Sequence, residues 1–113
     1  MPLAIPEVDV SQVPVDPDQA PYLLDVREVG EWEAGHIDGA QHIPMMEVPA
    51  RLAEIPTGEQ VLVICRSGSR SARVVGFLQN QGVDAVNVAG GMQVWNILGR
   101  PMTGPPGQPA EVI

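Results

Sequence analysis

The sequence predicts an α/β fold in which a parallel sheet is covered by helices on both faces. Short apolar runs alternate with segments of helical period along the chain, the pattern of strands joined by crossover helices. The run Val61, Leu62, Val63, Ile64 is unbroken, apolar and rich in β-branched side chains, as a strand buried on both faces requires. Glycine or proline then marks the change from one period to the next.

Val8 and Val10 alternate with acids and suggest a short first strand. Tyr22 to Val26 reads as the second strand, followed by a brief helix over Glu28 to Ala34 that Gly35 ends. Ala40 to Ile43 reads as another strand. Val48, Leu52 and Ile55 recur at helical intervals and predict a short helix, stopped by Pro56 and Gly58. After the Val61 strand, the stripe of Ala72, Val74, Val75, Phe77 and Leu78 predicts a helix over Ser71 to Gln81, closed by Gly82. Val86 and Val88 mark a further strand, and Gly90-Gly91 turns the chain into a last helix holding Trp95 and Leu98. Gly99 and Pro101 stop it. This division gives one domain over residues 1–100 and a flexible Pro/Gly-rich tail over 101–113, read as a frayed end.

A chain of 113 residues, 44% of them hydrophobic, can bury one real core, and two domains would be cramped. Fourteen acids against six arginines, with no lysine, give a formal charge of −8 and argue against nucleic acid as a partner. One cysteine excludes an intramolecular disulfide and favours a reducing compartment. With no basic leader and no apolar run of membrane-spanning length, the expected location is cytoplasmic, away from any membrane.

Positive charge is nonetheless concentrated in one place: Arg66, Arg70 and Arg73 fall within CRSGSRSAR. Cys65 opens that stretch at the carboxyl end of the Val61 strand, where α/β sheets bind their ligands. The loop is small, glycine-containing and hydroxyl-rich, so successive N–H groups can turn inward, joined by the first turn of the next helix. A thiol so placed, beside Arg66 and Arg70, favours the thiolate and becomes a nucleophile at neutral pH. A lone cysteine more often serves as a small buried hydrophobe. The strand-to-loop junction, with glycine and arginines following, favours the chemical role here.

LLDVRE (Leu23 to Glu28), EWEAGHIDGAQHIP (Glu31 to Pro44), CRSGSRS and AGGMQVWNILGRP (Ala89 to Pro101) together resemble the rhodanese-like domain family, in its order and spacing and over nearly the whole chain. The family pattern usually has alanine where Val94 stands, a departure that touches nothing catalytic. The resemblance implies a five-stranded parallel sheet flanked by helices. It makes Cys65 the persulfide-forming nucleophile and Arg66, Ser67, Gly68, Ser69, Arg70 and Ser71 the surrounding substrate-binding loop, with Arg70 closing it. Cys65 to Arg70 spans six residues, the loop size associated with sulfurtransferases; related phosphatases and arsenate reductases have one residue more. A shorter ring of amides suits one sulfur atom and a wider bowl a tetrahedral oxyanion, which makes phosphatase chemistry the less favoured reading.

Asp25 and Arg27 could support the site, although an Asp and Arg after a buried strand more often pair to fix neighbouring loops. His36 suits a loop-bracing role in its GHI turn, and neither it nor His42 has a second ligand at metal spacing, so no metal is expected. Trp32 and Trp95 are expected to pack. The resulting expectation is a single-domain sulfurtransferase without cofactor, moving sulfane sulfur from a small anionic donor such as thiosulfate to a thiol, a thioredoxin-like protein or a sulfur-carrier protein. The rival is a non-catalytic interaction or sulfur-carrier module on the same fold.

Overall fold

The computed structural model describes residues 4–113. Its centre is the apolar run expected as a strand on both sequence and burial grounds. Strand β4 (Val61–Ile64) is buried at every residue and pairs in parallel with β2 (Tyr22–Asp25) on one side and β5 (Ala85–Ala89) on the other. β1 (Glu7–Asp9) and β3 (Gln41–His42) complete a five-stranded parallel sheet in the order β1-β5-β4-β2-β3.

Because side chains alternate across a strand, β4 feeds two cores. Val61, Val63 and Cys65 face one side with Leu24, Val26 and Ala85, covered by Val74, Val75 and Leu78 of helix α2 (Ser69–Asn80). Leu62 and Ile64 face the other with Val86 and Val88, covered by Met92 and Trp95 of α3 (Gly91–Ile97). Helix α1 (Val29–Ala34) is a short connection between β2 and β3.

Three elements differ from the sequence reading. The apolar stripe of Val48, Leu52 and Ile55 sits on 3-10 turns, Met45–Glu47 and Pro49–Glu54, rather than on an α-helix. Pro49 offers no amide, and Arg51 leaves helical geometry (φ −114°, ψ 20°), so the periodicity is met without regular i to i−4 bonding. Helix α2 begins at Ser69, two residues before the expected start, because Gly68 takes the left-handed conformation (φ +108°) as its N-cap. Val10 belongs to a 3-10 turn, Val10–Gln12, after a shorter first strand.

Residues 101–113 form no helix or strand, yet take a course that their composition did not suggest. The Trp95 Nε1–H donates to the Pro101 carbonyl at 2.9 Å. Thr103 bridges His36 in antiparallel fashion, and the Glu111 amide donates to the Ala34 carbonyl at 2.8 Å. Met102 and Val112 pack against the second core. The buried Trp95 and the partly buried Met102 and Val112 thus supply the anchoring that a Pro/Gly composition does not.

Gly91 shows how closely the elements must approach. Its φ is +57°, and a Cβ there would lie 2.4 Å from the Cys65 carbonyl oxygen. Without a side chain, the first amides of α3 reach the loop: Met92 donates to the Cys65 carbonyl at 2.8 Å and Gln93 to the Arg66 carbonyl at 2.9 Å. Gly91→Ala is therefore expected to destabilise the protein by about 2 kcal/mol or more through left-handed strain and the lost approach. An unchanged urea midpoint in that variant would contradict this reading.

Candidate functional site

The parallel strands end together, and β4 ends at Cys65. Buried partners on both sides hold this end of β4, and Val26 donates its amide to the Ile64 carbonyl at 3.0 Å. The chain then turns through Arg66–Gly68 into α2, so the sulfur faces the inside of a bend whose amides converge. Gly68 donates its amide to Cys65 Sγ at 3.1 Å, and the Ser71 hydroxyl lies 3.2 Å from the same atom. Burial pushes the Cys65 thiol up, but the Ser71 hydroxyl and the amides of Ser71, Gly68 and Ser67 outweigh it, and the thiol lies below its ordinary value. The structure thus brings Ser67, Gly68 and Ser71 to the sulfur.

Cys65 is 0% exposed and belongs to the first core cluster. The nucleophilic role expected of Cys65 calls for a thiol within reach of solutes. Instead the sulfur lies beneath its own loop, whose cover includes the exposed Ser67 and Ser69 and the partly buried Gly68.

The arginines also depart from expectation. Arg70 sends Nη1 and Nη2 to the two carboxylate oxygens of Glu31 on α1, at 2.7 and 2.8 Å, a fork-to-fork pair across two helices. The Glu31 carboxylate, and more weakly the Cys65 thiolate, hold the guanidinium above its usual pKa. Arg66 turns outward: its Nε–H donates to the Ile113 carbonyl at 3.0 Å, and Gln93, with its amide oxygen turned inward, accepts from the guanidinium at 2.6 Å. Main-chain amides and one hydroxyl, rather than guanidinium groups, are the direct partners of the sulfur.

Asp25 and Arg27 form a fully buried pair, with Arg27 Nη2 2.7 Å from Asp25 Oδ2 and Nε bonded to both carboxylate oxygens. The same guanidinium donates to the carbonyls of Glu31 and Gly35, which secures the end of α1 and the turn beyond it. Removing either partner would leave a buried charge uncompensated. His36 and His42 accompany this frame: Trp32 stacks on both rings, and the His42 ring lies 2.7 Å from the Arg27 carbonyl.

Two residues of the site escaped the sequence reading. Glu31 stands three positions after the N-cap Glu28, whose amide it accepts at 3.1 Å, so an ordinary helix-start pattern concealed its bond to Arg70. Asn87 lies in β5 between Val86 and Val88 and is 1% exposed. Its Oδ1 is 2.5 Å from Ser71 Oγ, and its Nδ2 donates to the Gly68 carbonyl and to Glu7 Oε2, each at 3.1 Å. Asparagine is disfavoured in strands, and its presence in AVNVA was the available signal.

The Rhodanese-like domain model matches residues 11–98, which span β2 to α3 and include the cysteine loop. The chain belongs to the rhodanese-like domain family. A protein of Allochromatium vinosum named Sulfurtransferase is 38% identical over 86 residues, covering 75% of this chain and 80% of that protein. A Bacillus subtilis relative, "Putative sulfur carrier protein YrkF", is 39% identical over 95 residues, 81% of this chain, and the match spans only 51% of that longer protein. The crystal structure of a rhodanese-related protein from Thermoplasma volcanium superposes with a TM-score of 0.80 at 32% identity, over 87% of this chain and 97% of that one. Within the rhodanese-like frame, the Glu31–Arg70 pair ties α1 to the start of α2.

The Arg70 hydrogen bonds hold the Glu31 carboxyl below its usual range, so the pair stabilises the fold fully above that group's unfolded-state pKa. The contribution disappears as pH falls through the lower folded-state value. Glu31→Gln should lower stability at neutral pH by about 1 kcal/mol, the pair being partly exposed. The gap between variant and wild type should close on acidification; a gap that persists in acid would show that the charge is not responsible.

Proposed function

We propose that this protein is a sulfurtransferase that carries sulfane sulfur as a persulfide on Cys65. The observation that supports this most is the convergence of amides and the Ser71 hydroxyl on a single sulfur whose thiol lies below its ordinary pKa. The naming of one relative as a sulfurtransferase and another as a sulfur carrier agrees with it.

In the first half-reaction the Cys65 thiolate attacks the outer sulfur of a donor such as thiosulfate. The donor's S–S bond breaks, sulfite leaves with the electron pair, and the transferred sulfur remains as the terminal anion of a Cys65 persulfide. In this reading the main-chain amides of the loop from Arg66 to Ser71 serve as donors to that anion. In the second half-reaction an acceptor nucleophile, such as a small thiol or the thiol of a thioredoxin-like or carrier protein, takes the outer sulfur and returns the thiolate. Neither step requires a cofactor. Asp25 and Arg27 support the site by fixing α1 and its following turn, and residues 101–113 brace α1 and α3 in this reading. The single cysteine suits a reducing, cytoplasmic setting.

Because Cys65 is covered, each half-reaction requires the loop to part and admit its substrate. That burial favours a second reading, in which the domain holds sulfur for a dedicated protein acceptor and turns over poorly with small molecules.

Intact-protein mass spectrometry after incubation with thiosulfate should show one added sulfur atom, removed by cyanide, and Cys65→Ser should neither gain sulfur nor turn over. Retained turnover in Cys65→Ser would reject the mechanism. Sulfur loading without steady-state turnover would select the carrier reading.

A further inference from the structure

Ser71 and Asn87 raise a question of hydrogen counting. The Ser71 hydroxyl has one proton but two acceptors within reach, Cys65 Sγ at 3.2 Å and Asn87 Oδ1 at 2.5 Å. Ser71 is 0% exposed and Asn87 1%, so solvent does not relieve the competition. Nor can the carboxamide turn over to offer its nitrogen instead: Nδ2 is held by the Gly68 carbonyl and by Glu7 Oε2, which leaves Oδ1 facing the hydroxyl.

Two arrangements satisfy this geometry. With a neutral sulfur, the Ser71 proton goes to Asn87 Oδ1, while Ser71 Oγ can accept from the thiol S–H. With an ionised sulfur, the thiol proton has left, the hydroxyl rotates, and its proton goes to Sγ, leaving Asn87 Oδ1 without a donor. We propose that Asn87 is a positioning residue of the site, a counter-acceptor that takes the Ser71 hydroxyl proton whenever Cys65 Sγ is neutral and yields it to the thiolate.

For the persulfide this rests on the sulfur-transfer reading: Sγ is then a neutral, divalent sulfur and the charge sits on the outer atom. Loading would return the Ser71 proton to Asn87, and discharge would bring it back to Sγ. Asn87 therefore stabilises the neutral-sulfur states and tempers a cradle that otherwise favours the thiolate.

Other charged groups surround this switch. Arg70 on α2 is forked to Glu31 of α1 and is acted on electrostatically by Cys65 and Glu28. Glu7 of β1 touches Asn87, Arg66 is engaged by Gln93 and Ile113, and Asp25 of β2 is paired with Arg27. Replacing Asn87 also removes its bonds to Glu7 Oε2 and to the Gly68 carbonyl; Glu7→Gln controls for the first, and Asn87→Leu in the Ser71→Ala background controls for the second.

The test is the pH dependence of Cys65 alkylation by iodoacetamide in wild type, Asn87→Leu, Ser71→Ala and the double variant. Asn87→Leu should lower the midpoint by about one pH unit, the worth of one buried hydrogen bond to the neutral form. Ser71→Ala should raise it, and adding Asn87→Leu to Ser71→Ala should produce no further shift. An unchanged or raised midpoint in Asn87→Leu overturns the proposal, as does an equal Asn87 effect without the hydroxyl. If Asn87→Leu does not fold, NMR of the wild-type Asn87 carboxamide decides: its resonance should titrate with Cys65 and stop doing so in Ser71→Ala. A resonance indifferent to Cys65 ionisation, or one that titrates equally in Ser71→Ala, overturns it. No sulfur donor enters these measurements, so a protein that never takes up sulfur would remove the functional reading while leaving this one to stand or fall separately.

Discussion

A neutral thiol is a weak hydrogen-bond acceptor, yet the end of β4 surrounds one with main-chain amides and a hydroxyl. Donors so aimed, in a place sealed from water, are satisfied far better by an anion than by S–H. Much of the surrounding structure preserves this arrangement. Gly68 takes a left-handed conformation so that α2 can start within the loop, and Gly91 gives up a side chain so that α3 can seize the carbonyls of Cys65 and Arg66. The fully buried strand beneath leaves the cysteine little freedom to move.

The electrostatics are more local than the arginine-rich loop suggests. Counting charges gathers three guanidiniums in the stretch after Cys65, but of the two in the loop itself Arg70 is forked to Glu31 and Arg66 is engaged by Gln93 and Ile113. The hydrogen-bond donors to Sγ are dipolar: amides fixed by backbone geometry and one hydroxyl. Such donors are insensitive to side-chain rotation and are screened little by salt, because they lie inside the fold. The arginines then act as fasteners of the loop as much as sources of positive potential.

The sheet was legible in the sequence because β4 and β5 announce themselves through uninterrupted or alternating apolar residues, and because glycines mark where α2 and α3 enter. Cys65 and its loop were legible for the same reason, as a reactive residue type at a strand's carboxyl end. The stripe at Val48, Leu52 and Ile55 was misleading, since 3-10 turns can satisfy an apolar periodicity that is too short to demand an α-helix. The covered state of the thiol depends on how the loop folds over it, which residue types do not encode individually. Glu31 and Asn87 act across sequence separations of 39 and 16 residues, and only the assembled sheet and helices bring them to Arg70 and Ser71.

The claim that main-chain and hydroxyl donors lower the pKa of this thiol can be read from ultraviolet thiolate absorbance of the native protein as a function of pH, with Cys65→Ser as the blank. The absorbance should rise with a midpoint below that of an ordinary cysteine and revert to the ordinary midpoint when the chain is unfolded in denaturant. A native midpoint at or above the unfolded one would contradict the account, because burial alone would then govern the thiol.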